Sequence, residues 1–195
     1  FIDCVWQLTD AGPVKFDAPV IRGAPSTSSG SSVTARPMHG KWIWSRADVT
    51  DAKAGETVVF RKAFELKSAP VQAIAAVSCD NSYTLFLNGA KLHAGDNWEA
   101  PDAIVLTGKL KAGQNDLVIV AKNGGSGPNP AALVCEIVAH LSDKQEMIIA
   151  SDESWQWTMQ LPDGKGKFAK EPADLKPAVS VNTPDLWNKR IGPQL

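Results

Sequence analysis

The sequence predicts an antiparallel β-sandwich, and three observations carry that expectation. Ser82 to Leu87 alternates Tyr83, Leu85 and Leu87 with Ser82, Thr84 and Phe86, the period of a strand whose two faces differ. Asn88-Gly89 follows at once. Both residue types tolerate φ > 0, which a two-residue type I′ hairpin turn needs at both central positions. Turn signals then recur along the chain at intervals of roughly 8–12 residues with almost no helical period between them, which favours stacked antiparallel layers over a parallel α/β arrangement.

The elements follow in order. Phe1 to Val20 is mixed, with Pro13 and Pro19. Ile21 to Pro37 contains GAPSTSSGSSVTARP, the composition of a flexible linker. A boundary is expected there, with residues 1–37 as an arm and linker, 38–160 as the sandwich and 161–195 as an irregular tail. The first twenty residues are then the end of something upstream or an arm that returns to pack on the domain. Lys41 to Ser45, KWIWS, opens the sandwich. Trp42 and Trp44 lie two apart and share a face in a strand, so both are expected in the core. Glu56 to Leu66 carries Val58, Phe60, Phe64 and Leu66 on one side, and Lys62 interrupts that stripe, which suggests a bulge or a strand end. Val71 to Cys79 is a strand rich in alanine (Ala73, Ala75, Ala76), suited to close packing of the facing sheet.

Asp80-Asn81 marks a turn into the central strand, and Ala90 to Ala94 returns after Asn88-Gly89. Gly95 to Pro101, GDNWEAP, is a polar loop holding one Trp, and Ala103 to Leu106 is a short strand. In LKAGQND (Leu110 to Asp116), Gly113 supplies a positive φ and Asn115 closes the turn on its own backbone. Leu117 to Lys122 is a strand, Asn123 to Pro130 (NGGSGPNP) a loop, and Ala131 to Leu141 a long strand. Met147 to Ala150 and Trp155 to Met159 flank the turn Ser151 to Ser154, with Trp155 sealing one end of the sandwich. One helical turn is expected near Pro184 to Lys189. The total is about nine strands, whose short lengths suit antiparallel pairing.

Composition bounds the function. The chain has 195 residues, the size of one ordinary domain with extensions. It is 44% hydrophobic and 21% charged, the balance of a globular protein in water. A net charge of −1 gives no electrostatic basis for nucleic acid or an anionic membrane. No apolar run approaches the roughly 20 residues that span a bilayer. The chain begins with Phe1 rather than Met, which reads as a processed form or a piece of a longer polypeptide. Seven Trp accompany one Tyr, so the indoles are core pillars or ligand platforms. Cys4, Cys79 and Cys135 form no CxxC motif. Cys79 and Cys135 each fall in a core strand and read either as two buried free thiols or as one disulfide in an exported protein.

KWIWS, FRKAFEL, AAVSCDNSYTLFLNGAKL, LTGKLKAGQNDLVIVAKN and SDESWQW follow one another in that order. The succession, from Trp42 to about Met159, resembles the galactose-binding-domain-like β-jelly-roll modules appended to bacterial glycoside hydrolases, including the N-terminal modules of α-L-rhamnosidases. The resemblance implies a secreted, periplasmic or cell-surface location and an accessory role. Its motifs speak of architecture rather than of catalysis or sugar contact. Where many relatives carry Gly-Gly before the long strand, this chain has Pro130-Ala131-Ala132, so that loop differs in shape on the ligand side.

Chemistry is then weighed residue by residue. His39, His93 and His140 are the three histidines, and no GxSxG elbow accompanies them. They are expected to be structural or solvent-facing. Glycosidic chemistry needs two carboxylates held roughly 5–10 Å apart, whereas Asp80, Asp96, Glu99 and Asp102 sit near turns, where acidic residues are ordinary. NGGSGPNP lacks the Lys-Ser/Thr and the helix of a phosphate loop. No cofactor is expected. Structural calcium is an option, because modules of this fold use loop oxygens for it and Asp96, Asn97, Glu99 and Asp102 offer them. Carbohydrate binding is the sharper reading. A sugar stacks its CH face on an aromatic ring while polar side chains bond its hydroxyls. Asp96-Asn97-Trp98-Glu99 offers that combination on a loop, and the loop from Asn123 to Asn129 is expected to face it. The expected site is therefore Trp98, Asn97, Asp96, Glu99 and Asn123. The function read from the sequence is a non-catalytic carbohydrate-binding module of a larger secreted bacterial protein. The alternative is a structural module docked on other domains of the same polypeptide, with no glycan ligand.

Overall fold

The computed structural model describes residues 38–191, together with the backbone of a short pairing between β1 (Ile2–Asp3) and β2 (Val20–Ile21). The expectations for the Ser/Gly/Pro-rich linker and for Cys4 lie outside the described residues. The elements that follow are β3 (Ile43–Trp44), β4 (Thr57–Leu66), β5 (Gln72–Asp80), β6 (Ser82–Leu87), β7 (Ala90–Gly95), β8 (Asp102–Val105), β9 (Gly113–Lys122), β10 (Ala132–His140), β11 (Glu146–Ala150), β12 (Gln156–Thr158), β13 (Lys176–Pro177), β14 (Val179–Ser180) and α1 (Asp185–Ile191). One six-stranded sheet runs β14-β3-β10-β5-β8, with β11 sharing an edge of β10 with β3. The second six-stranded sheet runs β13-β12-β4-β9-β6-β7. The pairings within both sheets are antiparallel, so the chain is an all-β sandwich.

Alternation decides which side chains meet between the sheets. Val58, Phe60, Phe64 and Leu66 of β4, Leu85 and Leu87 of β6, and Leu117 and Ile119 of β9 are buried on one side. Ala73, Ala75, Val77 and Cys79 of β5 and Leu133, Cys135, Ile137 and Ala139 of β10 are buried on the other. The small side chains of β5 let the facing sheet approach closely. Cys79 and Cys135 are free and buried, and burial pushes both thiols well above their ordinary range. The two-thiol reading therefore stands over the disulfide. Trp42 and Trp44 are both buried, with different partners: Trp42 stacks on Trp187 and Trp44 leans on Phe60.

The turn chemistry matches the sequence. Asn88 has φ 52° and Gly89 φ 80°, the two positive angles of the hairpin turn. A Gly89→Val variant loses about 1–2 kcal/mol, since the left-handed region costs an L residue that much and a β-branched one no less; the midpoint of a urea transition measures it. Gly113 has φ 78°. The Asn115 amide donates to Lys111 O (2.8 Å) and Gly113 O (3.1 Å) and accepts from Lys111 N (3.1 Å). The strand starts at this glycine rather than at Leu117, because β9 pairs with β4 without interruption from Lys122 to Gly113.

That unbroken register also removes the bulge expected at Lys62. Lys62 stays on the inward stripe and reaches sideways to the Ser154 hydroxyl (2.5 Å), a long side chain carrying its charge out of an apolar row. The irregularity falls instead between Leu85 and Phe86, where β6 meets β7. Trp155 is fully buried and donates its indole N–H to Ala150 O (2.8 Å).

The region after Thr158 is more ordered than the irregular tail expected. Phe168 packs on Val59, Phe86 and Val118 on the outer face of the second sheet. Gly166 (φ 74°) passes so close that a Cβ there would lie 2.5 Å from Phe86 Cβ. Arg61 bridges Asp116 (2.8 Å) and Glu171 (2.7 Å). The chain then adds β13 to β12 in one sheet and β14 to β3 in the other. Strands of two residues have no period to read, which is why the sequence does not announce them. The helical turn expected at Pro184 to Lys189 is α1, which starts one position later and ends two positions later.

Candidate functional site

Antiparallel pairing gathers one set of strand ends on a single rim. Asp80 at the end of β5 lies opposite Ala132, Ser82 opposite Lys122, Gly95 opposite Tyr83 and Asp102 opposite Val77. The loop 96–101, the Asp80-Asn81 turn and the loop 123–131 therefore open at the same end. Helix α1 comes to this end from the C-terminal side.

The loop 96–101 is held by short local bonds. Ser78, pointing outward from β5, donates its hydroxyl to Trp98 O (2.9 Å). Asn97 Oδ1 accepts from Glu99 N (3.2 Å), an Asx turn that leaves its amide group free. Asp96, Asn97 and Glu99 are exposed, while Trp98 is half-buried and packs against the core. The structure thus brings these four expected residues together. The Arg190 guanidinium of α1 lies over the Trp98 ring, 5.4 Å from its centroid, and pairs with Glu99 (3.0 Å).

Asn123 is placed elsewhere. It is fully buried, and its amide donates to Ala52 O (3.0 Å) and Lys53 O (3.1 Å). Its backbone N–H donates to Glu56 O (2.8 Å), and its carbonyl accepts from Gly55 N (2.9 Å). The side chain ties the segment before β4 to the end of β9 and faces backbone rather than solvent. A buried stretch of loop has carbonyls to satisfy, and asparagine is a residue type that does so.

Other rim contacts, made between residues far apart in the chain, escape a reading by sequence. Asp80 is buried on the outward face of β5, and Trp187 of α1 donates its indole N–H to Asp80 Oδ2 (2.9 Å). Burial raises the Asp80 carboxyl above its usual range, with the Trp187 hydrogen bond and the Arg190 charge acting the other way. Trp187 stacks on Trp42 at 5.0 Å, and the Trp42 indole donates to Asn188 Oδ1 (2.8 Å). Asp80 reads as a turn residue because its partner lies 107 positions away. Next to it, Asn81 Oδ1 accepts from Gly124 N, which joins the turn to the loop 123–131.

Asp102 is engaged as well. It accepts from the Tyr83 hydroxyl (2.7 Å) and pairs with His93 (3.2 Å), linking the edge strands of the two sheets. Among the described residues no three His, Cys, Asp or Glu side chains converge to hold a metal. Away from the rim, one row across the outer face of the first sheet is apolar. Val105, Ile74, Val138 and Ile148 lie side by side in register, with Val105 47% and Ile148 37% exposed.

No family model matches the chain. An α-L-rhamnosidase of Streptomyces avermitilis is 28% identical over 128 residues, 62% of this chain and 12% of that protein. Among solved structures, the Streptomyces avermitilis α-L-rhamnosidase complexed with L-rhamnose superposes with a TM-score of 0.66 at 26% identity, covering 75% of this chain and 15% of that one. The apo lectin of Pleurotus ostreatus gives 0.64 at 26% identity, covering 73% of this chain and 41% of that one. The α-L-rhamnosidase from Dictyoglumus thermophilum, 17% identical with a TM-score of 0.59, shares the fold. The chain therefore spans a small part of the rhamnosidases it matches. The likeness is to a carbohydrate-binding-like β-sandwich domain within larger proteins.

Proposed function

We propose that residues 38–191 form a non-catalytic carbohydrate-binding module, of the galactose-binding-like jelly-roll kind, within a larger secreted bacterial protein. The observation that carries this reading is the loop 96–101: a half-buried indole at the rim with exposed Asp96 and Asn97 beside it. The ring offers a face for a sugar's CH groups, and the carboxylate and the free amide offer partners for hydroxyls. The sugar-bound rhamnosidase and the lectin to which the chain is similar support a glycan ligand. Spanning only 12% of the rhamnosidase supports an accessory role. L-rhamnose is the first probe and N-acetylgalactosamine the second, these being the sugars in the matched structures.

Calorimetric titration of the full chain with each sugar tests the reading. Trp98→Ala weakens binding at least about 30-fold, the loss expected when a central Trp anchor is truncated, about 2 kcal/mol. Circular dichroism of the variant stays that of a folded β protein. Equal binding by both proteins rejects Trp98 as the platform. The docking alternative rests on a specific feature, the apolar row Val105, Ile74, Val138 and Ile148, a surface suited to another domain of the same polypeptide. It gains if neither sugar binds the unaltered chain.

A further inference from the structure

Trp98 is half-buried and packs against the core, which limits the part of its ring that a ligand can reach. The Arg190 guanidinium lies over the ring, 5.4 Å from its centroid. A cation over a ring and a sugar stacked on the same ring compete for the same surface. Glu99, which the sequence offers as a sugar contact, spends its carboxylate on holding Arg190 (3.0 Å). The helix that delivers Arg190 is anchored by Trp187, three residues before it, and by Ile191, the residue after it, both buried, so the backbone that carries the guanidinium is held beside the Trp98 ring.

We propose that Arg190 is a built-in cap on the sugar platform: the chain binds glycan only when the guanidinium leaves the Trp98 ring, and Glu99 is the latch that keeps it there. The proposal rests on the glycan reading above. It changes the role of two residues within it. Glu99 becomes a positioning residue that acts through Arg190, and α1 becomes part of the recognition rim. An exposed cation–π contact and an exposed ion pair are each weak. The cap is therefore a modest tax on affinity and not a block, of the kind a ligand meets when its competent state is only partly populated.

The test uses the full chain as wild type, Arg190→Ala, Glu99→Gln and Trp98→Ala. The Arg190 side chain is 64% exposed, so its removal leaves the fold intact. Hydroxyl-radical footprinting reads the Trp98 ring directly. Oxidation of Trp98 rises at least about threefold in Arg190→Ala and rises less in Glu99→Gln, with the other tryptophans unchanged. Titration with L-rhamnose then gives an affinity about tenfold tighter for Arg190→Ala, equivalent to about 1.4 kcal/mol, while Trp98→Ala loses binding. Unchanged Trp98 oxidation in Arg190→Ala overturns the cap. So does weaker or equal rhamnose binding by Arg190→Ala when Trp98→Ala abolishes it, a result that leaves the glycan reading standing. Greater oxidation of Trp98 with no binding of L-rhamnose or N-acetylgalactosamine by any of the proteins overturns the glycan reading and the cap with it.

Discussion

Trp187→Ala lowers the stability of the domain by about 3–5 kcal/mol, the cost of emptying a buried Trp site, read from the shift of a urea unfolding transition. Trp187 is 1% exposed. It contributes a stacked face to Trp42 and the hydrogen bond that its indole gives to the buried Asp80 carboxyl. Trp187→Phe separates the two contributions, since the ring remains and the N–H does not. Its cost is about 1–3 kcal/mol, that of leaving a buried acceptor without its donor. The cost depends on pH with a definite sign. The Asp80 carboxyl is raised in the folded state, so its favourable contribution is complete below the unfolded value and is lost as pH rises through the folded one. The indole N–H supports the charged form. The deficit of Trp187→Phe relative to wild type is therefore smallest in acid and grows towards neutral pH. Equal stability of wild type and Trp187→Ala would mean that α1 does not dock on the rim.

Asn123→Ala costs about 2–4 kcal/mol, because the carbonyls of Ala52 and Lys53 lose a donor in a place where water does not replace it. The same urea transition reads it. A change of this size distinguishes a loop clamp from a ligand contact. Loss of a sugar-bonding side chain at the surface weakens binding and leaves stability within about 0.5 kcal/mol. Asn123→Ala moves stability, as a clamp on backbone carbonyls does.

What a reader of the sequence gains or misses here follows from the range of each interaction. The hairpin at Asn88-Gly89 and the loop at Gly113 are written locally. The residue types that tolerate φ > 0 sit in the turn itself, and Asn115 bonds within four residues of its own position. The layered fold is legible for the same reason, through alternation within each strand. Lys62 shows the limit of that alternation, since a lysine on an apolar stripe signals a bulge only if its charge has nowhere to go, and Ser154 gives it somewhere. The loop 96–101 was visible as an aromatic among polar residues. The Arg190 guanidinium over its ring was not, because Arg190 lies 91 positions from Glu99 and nothing near either residue points to the other. Asn123 illustrates the opposite case: expected to face a ligand, it is buried against backbone carbonyls. Loop composition says where a residue is in the chain and says nothing about which way its side chain turns.

Ala178 stands between β13 and β14, one belonging to each sheet. The polypeptide at that point is a hem stitched through both layers of cloth. Shortening the chain after Gln160 to isolate a minimal module would strip the outermost strand from both sheets, leaving β12 and β3 as raw borders with unpaired amides and carbonyls, the surface on which sheets from different molecules join. Expression trials of such a fragment would meet clumping before they met any question of ligand.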